Sequence, residues 1–135
     1  MRVLALDYGR ARCGAAISDP TGTLATPLEP ILQAGTRKGL QRVAAVVRDR
    51  GAGRVVVGLP LSLSGGDTDQ TRETREFAQR LQHVLGPVPV ELEDERLTTR
   101  LAARTGGRSS EDSRAAAHLL EGWLARQAHR GAEGG

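Results

Sequence analysis

Val55-Val56-Val57, continued by Gly58-Leu59 and bounded by Arg54 and Pro60, is the stretch that most narrows what this chain can fold into. It is apolar without alternation, short for a helix, and dense in β-branched side chains. Such a run reads as a strand buried on both faces, and a sheet built around it needs helices above and below. The flanking sequence supplies them. Leu40, Val43, Ala44 and Val47 keep helical spacing between Thr36 and Asp49, with Gly51 to Gly53 as the stop. A second helical pattern runs from about Gln70 to Leu85, with Phe77, Leu81 and Leu85 on one stripe.

The first third has the period of strands instead. Val3 to Asp7 is short and apolar, Gly9 to Arg12 is a turn, and Gly14 to Ser18 returns as a hairpin partner. Asp19-Pro20-Thr21-Gly22 is a strong turn signal, and Thr23 to Ala25 adds a third strand that should stop before Pro27 and Pro30. Beyond the second helix, Val88 to Glu93 reads as a strand leading into Asp94-Glu95-Arg96. Leu97 to Arg104 suggests a short helix broken by Gly106-Gly107, and the last helix spans about Glu111 to Gln127. The order β-β-β-α-β-α-β-α predicts an α/β fold whose mixed central sheet joins a three-strand antiparallel meander to parallel strands, flanked by helices. That is the ribonuclease H-like arrangement. A chain of 135 residues without repeat or linker is expected to form one domain over 1–128, with 129–135 as a flexible tail.

Composition excludes several classes of function. No apolar stretch approaches the ~20 residues needed to cross a bilayer, so no membrane partner is expected and the chain reads as soluble and cytoplasmic. Cys13 is the sole cysteine, which removes disulfides and cysteine-based zinc sites and leaves it as a small buried hydrophobe. His83, His118 and His129 have no metal-ligand spacing. The 19 Lys+Arg residues outnumber 16 Asp+Glu, and Lys38 is the only lysine. Arginine suits bidentate contact with phosphate, so nucleic acid is the partner this balance favours. Only Tyr8, Phe77 and Trp123 are aromatic, which argues for recognition through backbone phosphates and shape rather than base stacking.

Three acidic positions stand out. Asp7 ends the first strand, at the carboxyl edge where ligands of α/β sheets gather, and a carboxylate there must pair, bind a cation or shift its pKa. Its bland reading is a turn-initiating Asp. Asp94-Glu95-Arg96 ends another strand. Alternation sets Val88, Val90, Leu92 and Asp94 on one face against Glu91, Glu93 and Glu95 on the other, and the sequence leaves open which carboxylate points to the site. Asp112 follows Ser109-Ser110-Glu111 at the head of the last helix, where capping is its ordinary role. It shares a helix face with Ala115, Ala116 and Leu119, which turns it toward the sheet. The loop Pro60 to Asp69 is rich in Ser and Gly at the same edge but lacks the Lys of a P-loop. Acids from two strand ends and one helix start would meet above the sheet, where two divalent ions bridged by Asp7 can drive phosphodiester hydrolysis.

Asp7-Tyr8-Gly9-Arg10-Ala11-Arg12-Cys13-Gly14, Ser18-Asp19-Pro20, Ala25-Thr26-Pro27-Leu28, Val57-Gly58-Leu59-Pro60, Asp94-Glu95-Arg96-Leu97-Thr98-Thr99 and Asp112-x-x-Ala115-Ala116 occur in this order. Together they resemble the bacterial YqgF/RuvX family of Holliday junction resolvases, also described as nucleases that process the 5′ end of pre-16S ribosomal RNA. The resemblance covers nearly the whole chain. It implies a ribonuclease H-like fold and metal-dependent hydrolysis with Mg2+ or Mn2+, two ions in all. The catalytic and metal-binding acids fall on Asp7, Glu95 (Asp94 in reserve) and Asp112, and the expected phosphate contacts are Arg96, Thr98, Thr99 and Arg10. The implied partner is pre-rRNA or branched DNA, and a junction resolvase needs a two-fold homodimer where an RNA processor does not.

The chain departs from the family pattern in three places. The segment between Thr99 and Asp112 is short and lacks a Lys-rich stretch, so Arg100, Arg104 and Arg108 are its stand-ins. The loop after Leu59-Pro60 lacks an Asn-Met-Asp-Gly-like sequence, and Cys13 replaces a branched apolar residue. Two competing readings remain at this level. Asp7-x-Gly9 followed by Gly14 resembles the phosphate hairpin of actin-like and sugar-kinase ATPases, which failure to bind ATP would dispose of. A nucleic-acid-binding regulator without catalysis would bind but never cleave.

Overall fold

A computed structural model of the chain describes the backbone of residues 1–95 and 111–134, and the side chains of 1–95 and 113–128. Five strands form one sheet in the order β3-β2-β1-β4-β5. β1 (Arg2–Asp7), β2 (Arg12–Ser18) and β3 (Ala25–Leu32) are the antiparallel meander. β4 (Ala52–Leu59) and β5 (Val90–Asp94) continue the sheet in parallel with β1. α1 (Arg37–Arg50) and α2 (Asp69–Leu85) pack on one face, and α3 (Glu111–Gly134) on the other.

Alternation along the strands divides the core in two. Leu4 and Leu6 of β1, with Val55 and Val57 of β4, meet Leu40, Val43, Phe77 and Leu81 of α1 and α2. Val3, Ala5 and Val56 meet Ala116, Leu119, Leu120 and Trp123 of α3. The valine run is therefore buried on both sides, as expected, and each fully buried Leu or Val contributes about 1.5–3 kcal/mol. α1 is capped by Thr36, whose hydroxyl accepts from Gly39 N at 3.0 Å, and is ended by Gly51 in the left-handed region (φ 66°).

Three expectations are corrected. β3 does not stop before Pro27 and runs through both prolines to Leu32. Among the described residues it is an edge strand paired only with β2, so a missing N–H costs nothing on its open side. The last helix continues past Gln127 to Gly134. Its sheet-facing stripe includes Ser113, fully buried, while Ala115 is exposed and Ala116 and Leu119 are buried as expected. The short helix expected over 97–104 lies outside the described residues.

His118 of α3 buries both ring nitrogens, and among the described residues neither has a hydrogen-bond partner. An unsatisfied polar group of this kind costs about 1–3 kcal/mol. His118→Leu, close to it in volume, is therefore expected to raise stability by about 1 kcal/mol in a denaturant titration.

Candidate active site

The two-sided core decides which carboxylates can meet. Asp7 follows Val3 and Ala5 in alternation and so points to the face covered by α3. On β5, Glu91 accepts from Trp123 Nε1 and Glu93 pairs with the Arg126 guanidinium, both partners belonging to α3. Val90, by contrast, packs against the α1–α2 core. Glu95, next in step after Glu91 and Glu93, thus comes out on the face of Asp7, and Asp94 falls in step with Val90.

Between them runs β4. Leu6 pairs with Val57, which puts Gly58 beside Asp7, and Gly58 also pairs with Glu93. A Cβ at position 58 would lie 2.8 Å from Glu95 Oε1, 2.9 Å from its Cγ and 3.1 Å from Leu119 Cδ2. The absent side chain is the space into which Glu95 folds back over β4, where it hydrogen-bonds to Asp7. Burial, that hydrogen bond and the charges of Asp7 and then Asp94 push the Glu95 pKa up to about 8. Two carboxyl groups here share a proton. Gly58→Ala is accordingly expected to displace Glu95 and cut turnover about tenfold or more, while changing stability little. Comparing turnover with thermal melting separates the two effects.

α3 brings the third acid toward the same rim. Ser113 Oγ accepts from Ala15 N at 3.4 Å, next to the irregularity in β2 and beside Gly14, the register partner of Asp7. The backbone of Asp112 precedes that contact directly; its side chain lies outside the described residues, as do Arg96, Thr98, Thr99, Arg100, Arg104 and Arg108. Among the described residues no group of three His, Cys, Asp or Glu side chains forms a metal cage. The donors present, hard carboxylate oxygens in mutual contact, suit Mg2+ or Mn2+.

Arg10 is engaged by an acid of α2. Its Nε donates to Glu73 Oε2 at 3.1 Å and its terminal nitrogen pairs with the other oxygen, so the guanidinium is gripped at two points by α2. Tyr8 stacks on Phe77 of the same helix with ring centroids 4.4 Å apart. These contacts fix the β1–β2 turn, and no feature of the sequence marks Glu73 as their acceptor. Asp19 keeps its bland role: Oδ1 accepts from Thr23 N at 2.8 Å and Leu24 N at 2.9 Å, which holds its pKa below the usual carboxylate range. The 60–68 loop closes on itself, with Gly65 N donating to Ser62 O at 2.8 Å and Ser62 N to Gly66 O at 3.0 Å. Missed in the sequence were the room Gly58 leaves for Glu95 and the contact made by Ser113. A glycine inside a valine strand was the available signal for the first.

A T. thermophilus RuvC structure, solved in complex with a Holliday junction substrate, superposes with a TM-score of 0.64 at 16% identity, covering 94% of this chain and 96% of that one. The architecture is therefore ribonuclease H-like. A protein of Corynebacterium jeikeium described as "Putative pre-16S rRNA nuclease" is 40% identical over 132 residues, covering 91% of this chain and 85% of its own. One of the same description from Anaeromyxobacter dehalogenans is 42% identical over 137 residues, covering 95% and 99%. Fold and relatives together define a hydrolase of phosphodiester bonds, a nuclease. The family model RuvX, described as Holliday junction resolvase, matches residues 1–126, and the chain belongs to that family.

Proposed function

We propose that this nuclease depends on divalent metal, cuts structured RNA, and acts in 5′-end maturation of pre-16S rRNA within the cytoplasm. The observation that carries the reading is the Asp7–Glu95 pair over Gly58. Like charges held in contact favour either a shared proton or a cation, and a cation replaces the proton at neutral pH. Asp7 and Glu95, with Asp112 at the head of α3, are the residues that would hold Mg2+ or Mn2+. Two ions held there would supply Lewis-acid charge for activating a water and for the leaving oxygen. The chain's own contribution is to fix Asp7 on a central strand, fold Glu95 across Gly58, and place the start of α3 beside β2. Arg10, Arg96, Thr98 and Thr99 are assigned to substrate phosphates, and the nuclease unit is assigned to residues 1–128.

The family's description favours a second reading, a Holliday junction resolvase acting as a two-fold dimer. One experiment tests both. The protein is given a structured RNA carrying the pre-16S 5′ leader and a four-way DNA junction, each with Mg2+ or Mn2+. Cleavage of the RNA alone supports maturation, and paired symmetric cuts in the junction support the resolvase. Binding of either without cleavage under every metal leaves a non-catalytic regulator.

A further inference from the structure

Arg12 opens β2 and pairs in register with Leu32, the last residue of β3. Between these strand ends and α1 lies an open groove of ≈ 360 Å³ lined by Ala11, Arg12, Leu32, Gln33 and Arg42. Both cations of the groove are exposed, and among the described residues neither is in an ion pair. Arg10, Arg48, Arg54, Arg72, Arg75 and Arg126 have carboxylate partners, whereas Arg12 and Arg42 face one groove together.

The groove is braced by backbone contacts. Arg42 Nη1 donates to Leu32 O at 2.9 Å, which aims the guanidinium across the strand end and leaves its other N–H groups for a ligand. Gln33 adopts φ 48°, the non-glycine residue with positive φ among the described ones. It is held there by Gln33 N to Ala11 O at 3.0 Å and by Thr36 Oγ1 to Gln33 O at 2.8 Å. Strain of about 1 kcal/mol is maintained where it shapes this wall. α1 then begins with Arg37 and Lys38 and has no acid in its first turn, which opposes its own dipole and adds positive potential to the same rim.

Its place relative to the acids gives the groove a purpose. Asp7 pairs with Gly14, two residues along β2 from Arg12, so strand spacing and rise put the groove on the order of 10 Å from Asp7. It opens at the same carboxyl edge, on the β3 side. We infer that the Arg12–Arg42 groove is a second phosphate subsite, gripping the backbone of the nucleic acid away from the bond being cut. The inference rests on the nuclease reading of the Asp7 site and adds a place where the substrate is held. Two guanidiniums offering N–H groups suit phosphodiester oxygens and read no base. The ligand is the backbone of a duplex arm, RNA or DNA.

The test is binding without chemistry. Labelled RNA and DNA duplexes are titrated by fluorescence anisotropy in EDTA over a range of salt. Each phosphate contact contributes about 0.9 to the slope of log K against log salt. Arg12→Gln and Arg42→Gln are each expected to lower that slope by about one and weaken binding several-fold on both duplexes. Arg48→Gln, in the last turn of α1, removes the same charge and is expected to leave the slope unchanged. The Arg12 side chain makes no hydrogen bond among the described residues, so its variant reports charge without disturbing the turn that Arg42 braces. Wild-type slopes in both groove variants overturn the proposal. So does an equal loss in Arg48→Gln, or a loss confined to one kind of duplex. The catalytic reading fails separately, if Asp7→Asn still cleaves while the groove variants lose their slope.

Discussion

Asp7→Asn is expected to lower cleavage by about a thousand-fold in Mg2+ or Mn2+ while leaving the fold intact. If Asp7 holds metal as proposed, several kcal/mol of transition-state stabilisation would rest on its carboxylate, and each 1.4 kcal/mol is about tenfold in rate. The amide keeps the size of Asp7 at the end of β1, beside Gly14 and Gly58. It also removes the charge that disfavours ionised Glu95. Thermal stability at neutral pH should therefore equal or exceed that of the wild type, which separates lost chemistry from lost structure. Activity above a tenth of the wild-type rate would remove Asp7 from the catalytic assignment.

Glu95→Gln should move activity and stability in opposite directions. In the metal-free protein the Glu95 pKa rises from the usual 4.5 to about 8, through burial first and the Asp7 contact second. Below about pH 4.5 folded and unfolded chains both carry the proton, and the site costs nothing. Between pH 4.5 and 8 only the folded chain keeps it, so stability falls as pH rises and levels off above 8. Solvent at this half-open rim screens the effect to about 2 kcal/mol. Glu95→Gln should flatten the pH dependence and leave the protein more stable than wild type at pH 8, with cleavage reduced as severely as by Asp7→Asn. Urea titrations of both proteins at pH 5 and pH 8 in EDTA measure the difference. A wild type that gains stability over that interval contradicts the shared-proton site.

The meander, the two-sided central strand and the alternating helices were legible because each rests on local periodicity. The position of Asp7 was legible for the same reason. That Glu91, Glu93 and Glu95 share a face also followed from period two, although the identity of that face did not. Trp123 and Arg126 of α3 decided it by engaging Glu91 and Glu93. β3 was cut short because proline opposes an interior strand, and its edge position, which makes Pro27 and Pro30 harmless, belongs to the sheet order.

By itself the sequence determined the kinds of element, their order, and the set of acids able to meet at one edge. The tertiary structure decided which of them do: Glu95 reaches Asp7 because Gly58 leaves room on the strand between them. It also decided that Arg10 pairs with Glu73, while Arg12 and Arg42 line one groove with no ion pair among the described residues. Periodicity is written over a few residues and survives in one dimension. A gap one side chain wide, or the choice of partner for a guanidinium, depends on neighbours dozens of residues apart and exists only once the sheet and helices have packed.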